Sequence, residues 1–480
     1  MVMEEKKKET SFVDRYDTVI AFLGIEFAAL ICFGIGGATG LSILRLVGFL
    51  LCFAFIPFIM ANHEKKQLIG YGIGLIPLAL LIILLSLSRF WFAAYGGFSL
   101  SALLTNISVM LGFFGTFVIG YGIKQIKSLK FEYILLGILG ALALFVLLTS
   151  GYTLIRYGAF YASKYKNMVY YFDGVVFSVD REMKTLNGFA FEEASLRFSM
   201  VSAFALASIL PATLYFSPKK DKLKFYFALG FGLFGLLAIL LIPYLTALLL
   251  LIPIYIYGVV RKFIKIKNDK IKLIVGLSIL GVFVLLVILF IFGCLKDGSF
   301  LEKLPIIGKR LQAEDGFFVR IKNAIRIAFL NRDGSINFLN VLFGASINSN
   351  GLFANNFDYS LSDSLTGLFE LSILVQNGFL AFALLIATIA FAIIWINRFL
   401  NKDKEKMGER IVPVLLLFGL FLYMSILNDE VPFVHEEGLF NPFTRGNVIM
   451  FVFFLLGLIF EGKEKVIPAS KYEEVEINEI

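Results

Sequence analysis

Histidine is nearly missing from this chain: 480 residues contain two, His63 and His435. A histidine-built metal centre is therefore excluded. Cysteine is almost as scarce. Cys32, Cys52 and Cys294 lie in or beside apolar stretches and form no CxxC pair, which excludes a disulfide framework and a thiolate zinc site. Charge is thin too, at 17%, while hydrophobic residues reach 59%. A soluble domain carries about 25% charged and roughly 45–50% apolar residues. A water-soluble chain of this make-up could not cover its surface, so a polytopic membrane protein is the class that remains. No cofactor is expected. The net charge of +8 calls for no nucleic acid, because its distribution has another cause.

Apolar runs place transmembrane helices at 18–38, 42–62, 68–88, 101–122, 131–149, 199–216, 225–241, 243–260, 272–294, 371–396, 411–428 and 447–461. The run from Phe225 to Val260 is too long for one span at about 1.5 Å per residue, and Pro243 near its middle marks a tight helical hairpin. The fold class expected is all-α, with about 12 transmembrane helices of about 20 residues each. The organisation is a cytoplasmic segment 1–17, five spans within 18–149, a first extracytoplasmic loop 150–198, four spans within 199–294, a second such loop 295–370, three spans within 371–461 and a cytoplasmic tail 462–480.

Basic residues set the orientation. With the N-terminus inside, most Lys and Arg fall in cytoplasmic segments, among them Lys6, Lys7, Lys8, the Ser217–Lys224 loop and the Arg261–Lys272 loop. The short external loops hold only Arg45, Arg89 and Arg445. This is the positive-inside pattern, with both termini cytoplasmic. The start of the chain shows no small-residue cleavage site, so no signal peptide is expected.

The two long external loops hold all the other basic residues. Long loops are exempt from the orientation rule, so these charges are free for another task. In the second loop, Lys309, Arg310, Arg320, Lys322, Arg326 and Arg332 come first, followed by Asp333, Asp358, Asp363 and Glu370. The stretch Phe317–Leu330 reads as an amphipathic helix, with Arg320, Lys322, Asn323 and Arg326 within an arc of roughly 160° and Ile321, Ile325, Ala328 and Phe329 opposite. Such a helix is expected at the membrane surface, its cations near phosphate height. The guanidinium fork suits a diphosphate; resting on anionic lipid headgroups is the plainer alternative. The first loop combines Tyr157, Tyr165, Tyr170, Tyr171 and Phe172 with Arg156, Arg181 and Arg197. Its aromatics suit either an interfacial belt or a platform for sugar faces.

This layout resembles the bacterial O-antigen polymerase and O-antigen ligase family. The likeness rests on about twelve spans, a moderate external loop before a mid-chain hairpin, and a large external loop in the C-terminal half. Within that loop come Arg320 heading an amphipathic helix, then Leu342-Phe343-Gly344, a Ser/Asn-rich run and Ser362-Asp363-Ser364. The next span contains Gln376-Asn377-Gly378-Phe379-Leu380. Two features depart from the family. The hairpin segment Ile242–Leu248 lacks the arginine common there. The large loop has no histidine, which lowers the ligase reading in favour of a polymerase.

The resemblance implies a GT-C-like membrane glycosyltransferase in the bacterial plasma membrane. It would transfer a growing glycan from its undecaprenyl diphosphate to a hydroxyl of the next lipid-linked repeat unit. Membrane lipids surround it, and a chain-length regulator and a flippase are the implied protein partners. Arg320 and Arg326 would meet the charge developing on the leaving diphosphate, with Lys322 and Arg332 in support. Arg156, Arg181 and Arg197 would hold the second lipid's diphosphate. Asp363 is the expected general base and His435 the reserve. Each has a plainer reading: Asp363 as a helix N-cap, His435 as a solvated loop residue. The alternatives are ligase-type transfer, a flippase or transporter for lipid-linked oligosaccharides, a non-catalytic scaffold, and a polymerase of the peptidoglycan class.

Overall fold

The computed structural model describes residues 47, 75–81, 83–84, 114–124, 130–157, 162–172, 175–185, 194–241, 245–263, 269–295, 299–304, 322, 325–326, 328–331, 333–344, 369–403, 405–423, 425 and 446–461. Over these the chain is helical apart from one β-hairpin. The elements are α1 (Phe131–Tyr157), β1 (Ala162–Phe172), β2 (Val175–Thr185), α2 (Ala194–Ser208), a 3-10 helix (Leu210–Tyr215), α3 (Lys222–Leu241), α4 (Leu245–Phe263), α5 (Asp269–Leu295), α6 (Phe300–Lys303), α7 (Phe338–Phe343), α8 (Phe369–Asn401), α9 (Met407–Leu422) and α10 (Gly446–Ile459). Residues 114–124 form a further helical segment.

Among the described residues, four helices are long and apolar enough to cross a membrane, through Phe131–Leu148, Lys222–Leu241, Lys270–Leu295 and Asn377–Asn401. Val201–Tyr215 is a shorter apolar stretch. The spans expected at 18–38 and 42–62 lie outside the described residues, Val47 excepted, and those at 68–88 and 101–122 are described in part. The helical hairpin around Pro243 is present as α3 and α4.

Two elements differ from the sequence reading. The helix expected at 199–216 gives way after Ser208 to 3-10 geometry, with Pro211 in its first turn. Proline has no N–H to donate and its ring crowds the preceding turn, which weakens the α-helical ladder there. The first long loop is largely regular structure: α1 extends to Tyr157, and β1 pairs antiparallel with β2 from Ala162↔Thr185 to Phe172↔Val175. An all-α class therefore omits one element. In the sequence Asp173 and Gly174 separate the strands, and Asp-Gly is a pair favoured in two-residue hairpin connections.

The core is built on α2 and α9. Val201, Phe204, Leu206, Ile411, Leu415 and Leu420 are all fully buried. Small residues let neighbouring backbones close in, as in membrane bundles. A Cβ at Gly235 of α3 would strike the Ala203 carbonyl and Ala207 nitrogen of α2. Gly120 and Gly457 allow the same approach between the 114–124 helix and α10. The Ser208 hydroxyl reaches the carbonyls of Ala205 (2.6 Å) and Leu415 (3.1 Å), joining α2 to α9. By contrast α5 exposes Ile274, Ile279, Val282, Leu285 and Leu286. An apolar surface this continuous is tenable in lipid, not in water.

Polar groups gather where helices end. Lys224 at the start of α3 bonds Glu132 of α1 (2.9 Å) and Glu409 of α9 (2.6 Å). Arg410 donates to the Phe399 carbonyl of α8 (2.6 Å), and Arg261 of α4 to Asn401 (3.0 Å). Lys402 and Lys124 both pair with Glu461. These linked bonds tie the starts of α1, α3 and α9 to the ends of α4, α8 and α10 at one end of the bundle.

Gly235→Leu is expected to destabilise the purified protein by more than about 3 kcal/mol, because backbone atoms occupy the space. Gly281→Leu on α5, with nothing within 4 Å of the new Cβ, should leave the thermal midpoint unchanged. Equal shifts for the two variants would refute the packing assigned to α2 and α3.

Candidate functional site

Within 322–344 the chain returns onto α8 near Gly378. Its described helical residues include Lys322, Arg326, Ala328 and Phe329. Ile325, Ala328 and Phe329 are fully buried, and the Phe329 ring lies 6.1 Å from that of Phe379 in α8. The apolar face expected to rest on lipid is thus packed against protein. The segment then turns through Asn331–Ser335. Leu330 bridges to Ile336, and the Asn337 amide donates to the Phe329 carbonyl (2.8 Å). Asn337 caps α7 by accepting from the Asn340 amide (3.1 Å), and the Asn340 side chain donates to Ala328 O (3.0 Å). Asp333 in the turn accepts from the Ser335 hydroxyl (2.6 Å) and amide (2.9 Å). These bonds hold its carboxyl below the ordinary range.

At this point two segments singled out in the sequence meet. Gly378 breaks α8 with φ 78° and ψ −179°. A Cβ at this position would overlap the Leu342 carbonyl and crowd the Gly344 nitrogen. Leu342-Phe343-Gly344 and Gln376–Leu380 therefore share one tight contact, and both the positive φ and the close approach demand glycine.

Polar side chains flank the break. Asn377 is fully buried, and among the described residues neither amide atom has a partner. Seven residues earlier, Glu370 accepts a 2.5 Å hydrogen bond from Ser425, beyond the end of α9. Burial pushes the Glu370 carboxyl above its ordinary value, with the Ser425 bond opposing. Glu370 precedes the apolar span that begins at Asn377.

The expected site residues divide into three groups. Arg320, Arg332, Asp363 and His435 lie outside the described residues. Arg156 is in the last turn of α1, Arg181 in β2 and Arg197 in the first turn of α2. Register pairs Arg181 with Lys166 of β1. Lys322 and Arg326 are described, and the segment bearing them lies across the break in α8. Lys322 forms a 2.6 Å ion pair with Glu302 of α6, both side chains nearly buried at 12% and 13% exposure. Sequence reasoning missed Glu302 and Ser425 and gave no role to Glu370 or Asn377. A polar residue inside an apolar run, spaced by two helical turns from an acid, was the available signal.

Comparison with known proteins gives no match to a family model, a curated protein or a solved structure.

Lys322→Met removes the 2.6 Å partner of a nearly buried Glu302, so it is expected to cost about 3 kcal/mol. The double variant Lys322→Met with Glu302→Leu should recover most of it. Chemical denaturation of the three proteins reads this directly; an unchanged single variant would show that the pair contributes nothing.

Proposed function

We propose that this protein polymerises lipid-diphosphate-linked oligosaccharide repeat units at the outer face of a bacterial plasma membrane. What supports this reading is the packing of the second loop on α8, with Phe329 against Phe379 and Leu342–Gly344 against Gly378, beside the buried Asn377. A polymerase needs cations for the leaving diphosphate and polar groups for the acceptor sugar at one place. Arg326 sits in the docked segment, and Arg320 precedes it in the sequence.

On this reading the chain has twelve spans in a GT-C-like arrangement with both termini cytoplasmic. The end of the bundle joined through Lys224, Lys402 and Glu461 is the inner end, which agrees with the density of basic residues there. The acceptor hydroxyl attacks the anomeric carbon of the donor, and the diphosphate departs. Arg332, Arg156, Arg181 and Arg197 supply further positive charge around the two lipids, while Lys322 anchors the loop segment through Glu302. Asp363 and His435 are the bases that the sequence offers. The donor is already activated, so the transfer needs neither ATP nor a cofactor.

A flippase for lipid-linked oligosaccharides is the second reading, and one observation favours it. Discontinuous helices with polar side chains at the break are a recurring device of transporters, and α8 has one. A flippase would move the lipid without forming a glycosidic bond.

Arg320→Ala and Arg326→Ala are each expected to abolish polymer while leaving membrane insertion intact, with single repeat units accumulating as in a deletion strain. Gel analysis of surface polysaccharide from complemented cells provides the check. Full-length polymer from both variants would remove the two arginines from the mechanism.

A further inference from the structure

The first turns of α1, α3 and α9 enclose a groove of about 430 Å³, its open mouth included. Each helix brings one ionisable side chain to it and apolar ones after that. In α1, Glu132 is followed by Leu135 and Leu139; in α3, Lys224 by Phe227 and Ala228; in α9, Glu409 by Val412. Glu132 and Leu139 are seven residues apart, two turns or about 10 Å along the helix axis. The groove is therefore charged at the end of the bundle and apolar further in. Over the described residues it opens sideways, past Leu136 and Phe227, each 37% exposed.

The charged end is out of balance. Among the described residues, Lys224 is the one cation within ion-pair distance of Glu132 (2.9 Å) and of Glu409 (2.6 Å). It reaches a single oxygen, Oε1, of each. The two carboxylates are also near enough to act on one another. The triad ties three helices together, yet it leaves one unit of negative charge in a sheltered place, since the Glu409 side chain is only 11% exposed. Such a charge is costly unless a counter-charge joins it. Outside the groove, Lys130 stands exposed just before α1, its Nζ 5.9 Å from the centre of the Tyr133 ring. It acts on Glu132 from beyond ion-pair distance.

We propose that this groove holds one phospholipid with a primary ammonium headgroup, of the phosphatidylethanolamine type. The ammonium joins Glu132 and Glu409, the phosphate lies toward Lys130, and an acyl chain runs inward past Leu135 and Leu139. Charge complementarity selects this occupant. A primary ammonium offers three N–H donors to the paired carboxylates, as a lysine does. Phosphatidylcholine carries the same charge with no N–H. Phosphatidylglycerol brings an anion alone and meets the surplus negative charge. The apolar wall takes hydrocarbon and gives a sugar nothing to hydrogen-bond. The inference is independent of the polymerase reading, because the groove lies at the end of the bundle away from Gly378.

The test places the purified full-length chain in nanodiscs of equal parts phosphatidylethanolamine, phosphatidylcholine and phosphatidylglycerol with identical acyl chains. Native mass spectrometry then identifies the lipid that stays bound after release. One phosphatidylethanolamine per chain should remain, enriched about tenfold over the others, the worth of one charge-assisted hydrogen bond. Glu132→Gln keeps the bond from Lys224 to Glu409, and with it the link between α3 and α9. It should bring the enrichment close to one. Leu136→Trp adds bulk at an exposed lip and should lower retention of all three lipids. The thermal midpoint reports whether each variant folds, and either variant alone decides the matter if the other does not.

Equal retention of the three lipids by the wild-type chain overturns the proposal; a proton shared between the glutamates would produce that result. Preference for phosphatidylglycerol overturns it as well and moves lipid binding to the exposed lysines. No retained lipid means that another part of this chain fills the groove, and the proposal fails. Wild-type enrichment in a folded Glu132→Gln or Leu136→Trp places the lipid elsewhere on the protein.

Discussion

Lipid offers no hydrogen bonds to a backbone, so a chain crossing it must satisfy every peptide group internally or bury the exception in protein. That constraint governs this structure. The candidate spans are continuous helices except α8, where Gly378 takes φ 78°. The interruption is enclosed by Leu342–Gly344, which close on the glycine so tightly that no side chain fits between. The helix break and the returning loop depend on each other. Without the loop the interrupted peptide groups would lose their protein cover, and without the glycine the loop could not approach so closely.

The two ends of the bundle are organised differently. At one, ion pairs and carbonyl contacts link six helix termini through Lys224, Arg261, Lys402 and Arg410. That network fixes the helices where they leave the apolar zone. At the other, Lys322 and Glu302 form a nearly buried pair, and the polar groups around Gly378 are sparse and partly unsatisfied. The inter-helix bonds are concentrated at the first end, and at the second the buried Asn377 amide has no partner among the described residues.

What could be read from the sequence was what is local. Long apolar runs gave helices, and Pro243 marked the boundary between α3 and α4 because a proline acts on its own turn. The 3-10 stretch at Pro211 obeys the same rule but was hidden inside an apolar run. The β-hairpin was readable in principle, from Asp173-Gly174 between residues of mixed polarity; a reading dominated by aromatic content passed over it. The partner of Lys322 was not readable, since nothing in the sequence joins it to Glu302. Nor was the break at Gly378. A glycine in an apolar helix is ordinarily tolerated, and here only the distant Leu342–Gly344 segment gives it a positive φ. The site was visible as a loop of the right charge, but its floor was not, because the floor is made by tertiary contact.

The exposure of α5 has a mechanical consequence. This helix is apolar over Lys270–Leu295 and almost none of that stretch is covered by protein, so the bilayer is its main neighbour. Twenty-six residues make a rod of about 39 Å, longer than a hydrocarbon core of about 30 Å, and such a rod must lean. Its far end carries Gly293, against which Leu301 packs, and the next residue, Glu302, grips Lys322. Leu301 and Glu302 are held at that end of the rod, so the Lys322 segment is tied to the helix whose fit to the bilayer is least fixed by protein neighbours.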